Sequence, residues 1–146
     1  MTRGEIVSIH IAREEGKPAE PQDRIEARTD FGLLGDYRSG HNPKRQITLI
    51  DESVIADVAR TLGHSVHPGA SRRQIVVRGL DLNSLLGKSF RLGAITLRGE
   101  RPCDPCDNME RTIGPGAKAA LEGRGGLCCY VVSGGTIQVG DPVNVD

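Results

Sequence analysis

The chain has 146 residues, with 19 lysines and arginines balanced by 19 aspartates and glutamates, so no global charge draws it to nucleic acid or to an anionic membrane. That length fits a single domain, residues 1–146, able to bury a core without disulfide staples, and no apolar run approaches a signal core or a membrane span. Aromatic residues make up only 3%, too few for a base-stacking platform, so a cytoplasmic protein with an aliphatic core and reduced thiols is expected.

Aliphatic runs punctuated by 19 glycines and 8 prolines predict strands joined by tight loops. The first strand is expected over 5–11, with His10 on one of its faces, and the second over 24–28. The glycine-rich stretch Phe31-Gly32-Leu33-Leu34-Gly35-Asp36 reads as a turn. After Tyr37-Arg38 and His41 a third strand is expected over 44–50. Asp51 then supplies an N-cap for the main helix, which runs to Leu62 with Val54, Ile55, Val58 and Leu62 on one face until Gly63 stops it. His64 and His67 fall in the following loop, and Arg72-Arg73 lead into a strand over 74–78. One helical turn is expected over 82–86, and strands over 89–92 and 95–98. The Pro-rich residues 100–109 are expected to lack regular structure. A short helix over 116–121, a glycine turn at Gly123-Arg124-Gly125-Gly126 and strands over 127–132 and 142–145 complete the chain. The expected fold is mainly β, a barrel or sandwich with one main helix packed on the sheet and one or two short helices.

Three groups of residues carry chemistry. Cys103 and Cys106, three positions apart on a stiff loop, can ligate a soft metal, exchange disulfides or carry sulfur. Zinc needs two further ligands, and the adjacent Cys128 and Cys129 point to opposite faces of a strand, so both cannot easily complete one tetrahedral site. One of that pair is expected in the core, and the other could face the site. The prolines at 102 and 105 argue against the strand-then-helix context of a thioredoxin-like pair. The second group is basic: Asp36-Tyr37-Arg38, Lys44-Arg45 and Arg72-Arg73, which would form an anion pocket if their separate segments converge. The third is the glycine turn at 123–126, whose amides could approach an anionic ligand closely.

The order of these pieces extends the reading. Gly4-Glu5-Ile6-Val7-Ser8-Ile9, Gly32-Leu33-Leu34-Gly35-Asp36-Tyr37-Arg38, Arg45-Gln46-Ile47-Thr48-Leu49-Ile50 and Pro68-Gly69 with Arg72-Arg73-Gln74-Ile75 resemble, in sequence, the MOSC domain, named after the C-terminal part of molybdenum cofactor sulfurase. Gly79-Leu80-Asp81-Leu82, Leu85-Leu86-Gly87-Lys88, Pro102-Cys103-Asp104-Pro105-Cys106, Gly123-Arg124-Gly125-Gly126 and the stretch from Gly134 to Val143 continue the same resemblance.

The resemblance implies a MOSC-like β-barrel that binds the molybdopterin form of molybdenum cofactor or handles its sulfur. In enzymes of the family a cysteine thiolate holds molybdenum and N-hydroxylated compounds are reduced. By the spacing of the amidoxime-reducing members, that position falls on Cys106, with Cys103 second, both counted as candidate catalytic residues. Arg45, Arg72 and Arg73 are the candidates for the cofactor's phosphate, and Asp36 and Arg38 for the pocket wall. Because the chain lacks flavin, nicotinamide and ferredoxin signatures, an oxidoreductase role requires a separate electron-donor protein. The alternative is a sulfur carrier or cofactor-delivery module with a persulfide on Cys106 or Cys103. No pyridoxal-phosphate domain is present, so cysteine desulfuration by this chain alone is not expected.

Overall fold

Alternation of aliphatic side chains decides which way each strand faces, and the computed structural model, which describes residues 2–145, resolves that alternation into a closed barrel. Its strands are β1 (Thr2–Ile11), β2 (Glu20–Gln22), β3 (Arg24–Arg28), β4 (Gly32–Leu33), β5 (Ile47–Asp51), β6 (Ile75–Arg78), β7 (Ser89–Leu92), β8 (Ile95–Pro102), β9 (Leu127–Ser133), β10 (Gly135–Gln138) and β11 (Pro142–Val145). The main sheet runs β11-β7-β8-β9-β5-β6-β1, and β11 pairs back with β1 to close a ring of seven, while β2 adds to β1. A small sheet, β10-β3-β4, stands beside it. Closure leaves few unpaired edges, and it joins the two ends of the chain through Gly4 opposite Val143.

Only β5 and β6 are parallel neighbours, and the helix α1 (Glu52–Leu62) lies in the connection between them. Both faces of these two strands are therefore covered, which explains their nearly continuous apolar sequences. Ile47, Leu49, Ile75 and Val77 enter the barrel core with Ile6, Leu97 and Leu127. Ile50 and Val76 face outward into a second cluster with Ile55 and Val58 of α1, Met109 and Ile113 of α2 (Asp107–Ile113) and Ala117 beside Leu121 at α3 (Ala117–Ala120). Asp51 caps α1 as expected, its Oδ1 accepting from Ser53 N at 2.9 Å, and Gly63 ends it in the left-handed conformation at φ 76°. The fold is the mainly β barrel with one main helix and short helices that the sequence predicts.

Several boundaries differ. The strand expected over 44–50 starts at Ile47, because Asn42 and Arg45 close a turn first, with Arg45 N donating to the Asn42 carbonyl at 2.9 Å. The region 100–109 is not irregular throughout. Strand β8 continues to Pro102, opposite Leu127, and α2 begins at Asp107 with Cys106 at its N-cap position. Proline is tolerated at a strand end, and the second proline lies one residue before the cap, so neither interrupts an element. The cysteine pair thus has a strand before it and a helix immediately after it, the context its prolines argued against.

Candidate functional site

At the end of β8 the chain stays paired for one residue more, with Cys103 N donating to the Gly126 carbonyl at 2.8 Å. It then turns through Asp104 and Pro105 into α2. What holds this turn is Arg73, delivered by the segment just before β6. Its Nε donates to the Gly125 carbonyl at 2.6 Å, and its Nη2 to the carbonyls of Cys103 at 3.1 Å and Asp104 at 2.9 Å. The side chain is 1% exposed, so a full guanidinium charge is buried with carbonyls as its hydrogen-bond partners. Burial and the nearby Arg45 work against that charge, while the thiols of Cys103, Cys106 and Cys128 favour it.

Gly125 completes the clamp. A Cβ at that position would lie 2.3 Å from the Cys103 carbonyl oxygen, so the backbone approach requires glycine. The closeness read from the run at 123–126 is therefore, at Gly125, an approach to the cysteine loop.

The thiols meet around a cavity of about 300 Å³ lined by Arg45, Arg101, Pro102, Cys103, Asp104, Pro105, Cys106 and Cys128. Cys103 and Cys128 are buried and Cys106 is half-buried. Cys129, one residue further along β9, points into the barrel core, so the adjacent pair divides between core and site. Hydrogen bonding with the Cys128 thiol, against the cost of burial and with help from Arg73, Arg45 and Arg101, lowers the Cys103 pKa to about 6. The same bond, burial and the Cys103 charge push Cys128 upward. Burial raises Cys129 as well. Among the described residues no group of three or more His, Cys, Asp or Glu side chains is placed to hold a metal ion by itself.

Of the predicted basic residues, Arg45 reaches the thiol cavity and also lines its neighbour, a cavity of about 370 Å³ bounded by Tyr37, Arg38, His41, Asn42 and Arg45. Arg38 is fully engaged. It grips Asp36 with Nε on Oδ1 at 2.9 Å and Nη2 on Oδ2 at 2.8 Å, and its Nη1 donates to the Arg72 carbonyl at 2.9 Å. Asp36 also accepts from Ala12 N at 3.1 Å. Burial raises its pKa, but the bonds and charge of Arg38 outweigh that and hold the carboxyl below its ordinary value. Asp36 and Arg38 thus brace the wall of the second cavity. Arg72, at φ 62°, sends its side chain to the Lys17 carbonyl at 2.9 Å and does not line the thiol cavity.

One site residue escapes the sequence reading, Arg101, and for the adjacent cysteines the sequence left open that Cys128 is the one at the cavity. Arg101 stands two residues before Cys103, hence on the same strand face, and pairs directly across from Cys128. Period-two counting back from Cys103 would have found the arginine; the cysteine needed the β8–β9 register. Among the described residues neither Arg45 nor Arg101 forms an ion pair; each of the recorded pairs uses other arginines or a lysine. A half-buried thiol, a second thiol of lowered pKa and two guanidinium groups outside any ion pair, all facing one cavity, suit an anionic ligand with affinity for sulfur. A larger cavity of about 600 Å³ adjoins through Asp104 and Pro105, and its walls include Asp107, Glu110 and Glu122. Two of those carboxylates are occupied, Asp107 by Lys118 Nζ at 2.9 Å and Glu110 by the amides of Gly116 and Lys118.

A family model described as MOSC domain matches residues 36–144, well over half of the chain. No curated protein matches it in sequence. Among solved structures, the YuaD protein from Bacillus subtilis superposes with a TM-score of 0.81 at 21% identity, covering 97% of this chain and 94% of that one. YiiM from Geobacillus stearothermophilus gives 0.80 at 18% identity over 98% and 75%, and YiiM from Escherichia coli 0.75 at 20% over 100% and 70%. At these identities the likeness is one of fold.

Proposed function

Because this chain belongs to the MOSC domain family, we propose that its thiol cavity binds molybdenum cofactor in the molybdopterin form, with Cys106 as the thiolate ligand to the metal. The observation that carries this reading is the meeting of the half-buried Cys106 with the unpaired Arg45 and Arg101 at one cavity. The donor set fits the group, since a soft thiolate suits a metal already bound to sulfur and free guanidiniums suit a phosphate. Arg45, reaching both cavities, and Arg101 would hold the phosphate, with Arg38 lining the adjoining wall. Arg73 acts on the loop, fixing the carbonyls of Cys103 and Asp104 and so the position from which Cys106 is presented. When bound, the cofactor supplies oxygen-atom and two-electron chemistry, which in this reading reduces N-hydroxylated compounds with electrons from a separate donor protein. The chain's own contribution is binding, orientation and a positive wall around the reacting sulfur.

A second reading is sulfur carriage by a persulfide on Cys106 or Cys103, with delivery to the cofactor or another acceptor. The lowered pKa of Cys103 beside Arg73, Arg45 and Arg101 favours it, because the thiolate is the nucleophilic form. The deciding measurement is molybdenum and pterin content of the protein and of Cys106→Ser, purified without oxygen from cells that make the cofactor. The expected result is stoichiometric molybdenum that is lost in Cys106→Ser. Absence of molybdenum from both, with a one-sulfur mass increase on a cysteine, would replace the first reading by the second.

A further inference from the structure

Cys103 and Cys128, twenty-five positions apart in the chain, line one cavity from the same face of the β8–β9 pair. The register explains why. Arg101 lies directly opposite Cys128 in the β8–β9 pair, and Cys103 is two residues further on, so its side chain leaves the sheet on the same face, diagonally across from Cys128. The amide of Cys103 still pairs with Gly126 at 2.8 Å, which keeps that diagonal relation past the end of the strand. Both residues line the same cavity. Cys106 lies beyond Pro105, at the start of α2, and contributes to the cavity from another direction. All four cysteines are free in this structure.

We propose that Cys103 and Cys128 form a redox pair that a hydroperoxide converts into a disulfide across the β8–β9 end, narrowing the thiol cavity while Cys106 stays reduced. Diagonal cross-strand partners stand about 7–8 Å apart at Cα, just beyond the separation a disulfide spans, so the bond requires a backbone shift. The shift has to come at Cys103, just past β8, and it works against the hydrogen bonds that hold its backbone to Gly126 and Arg73. A cavity of about 300 Å³ admits a small peroxide to both sulfurs. Arg45 and Arg101, which also face it, stabilise the negative charge that develops on the departing oxygen.

The chemistry balances in two steps. The Cys103 sulfur attacks one peroxide oxygen and the O–O bond breaks. The other oxygen leaves as water, or as an alcohol from an organic peroxide, taking up the thiol proton, and Cys103 becomes a sulfenic acid. The Cys128 sulfur then attacks the Cys103 sulfur, the S–O bond breaks, and the hydroxyl leaves as water with the Cys128 proton. Two thiols lose two electrons, and the peroxide gains them.

This pairing concerns the same cavity as the cofactor reading but does not depend on it. The test treats the full reduced chain with hydrogen peroxide, alkylates the remaining thiols and maps disulfide-linked peptides by fragmentation mass spectrometry. The expected result is loss of two of the four free thiols in a Cys103–Cys128 linkage that a dithiol reverses. That linkage persists in Cys106→Ser and is lost in Cys128→Ala, where Cys103 gains oxygen instead. A Cys103–Cys106 linkage overturns the proposal, as does full retention of four free thiols in the native chain. Should Cys128→Ala fail to fold, Cys106→Ser alone decides, because loss of the disulfide there points to the loop pair. The readout is thiol connectivity, so its failure leaves molybdenum binding untouched, and absence of molybdenum leaves the disulfide result standing.

Discussion

Arg73 shows how one side chain ties distant segments into a site. Its three hydrogen bonds go to carbonyls on two separate loops, and the charge that makes those bonds strong also favours an ionised sulfur beside it. A lysine keeps the charge but loses the planar fork, leaving at least one buried carbonyl without a donor. Arg73→Lys is therefore expected to lower stability by about 2–3 kcal/mol in urea unfolding; a change too small to measure would mean that the clamp contributes nothing. The sequence singled out Arg73 as a phosphate contact by its charge. Nothing in a linear pattern distinguishes an arginine that reaches for a ligand from one that reaches for its own backbone.

At the level of elements, the main helix was legible because its signals are local. Asp51, the apolar stripe and Gly63 each act within a few residues of where they stand. Two substitutions separate these signals. Asp51→Ala removes the bond to Ser53 N and also the one to Leu80 N at 3.1 Å, so a loss of about 2–3 kcal/mol is expected. Gly63→Ala meets no atom within 4 Å, so its cost is conformational alone, about 1 kcal/mol. Equal losses from the two in the same unfolding assay would contradict the tertiary role of Asp51. Other elements were hidden. Strands β2 and β4 are too short for any period to register, β10 offers a single aliphatic side chain, Ile137, and α2 carries few apolar positions, principally Met109 and Ile113 facing the outer cluster. Pro102 concealed the end of β8 because a proline inside a strand reads as a break, whereas at its last position it removes no needed donor.

For the molecule as a whole, the neutral net charge is compatible with a local basic site, formed by Arg45 and Arg101 at the thiol cavity. Its stability should fall with acid in two stages. His10 is buried, bonds Ser8 Oγ at 3.0 Å and faces the ring of His67. Burial, and then the charge of His67, lower its pKa below the ordinary 6.5. A folded-state value below the unfolded one means that the unfolded chain takes the proton more readily, so this contribution is complete above 6.5 and is lost as pH falls beneath it. The lowered carboxyl of Asp36 has the same sign in a lower window: it stabilises above the ordinary 3.8 and is lost as pH falls through its depressed value. Chemical denaturation across pH is expected to show both steps, with His10→Gln removing the upper one. A profile for His10→Gln that matches the parent would assign that step to another group. No helix among the described residues is long and apolar enough to cross a membrane.

The sequence by itself determined the mainly β class, the main helix with both its ends and, through the order of its motifs, the MOSC family. These depend on local periodicity, on capping within a turn of the chain and on a linear succession of segments, all of which can be read in one dimension. Tertiary structure alone decided that β11 closes on β1, that Cys128 and not Cys129 shares the cavity with Cys103, that Arg45 and Arg101 face the thiols, and that Arg72 turns toward Lys17. Each of those outcomes depends on strand register or barrel closure. Register is set by which aliphatic faces can be buried together, a condition that the whole chain satisfies at once.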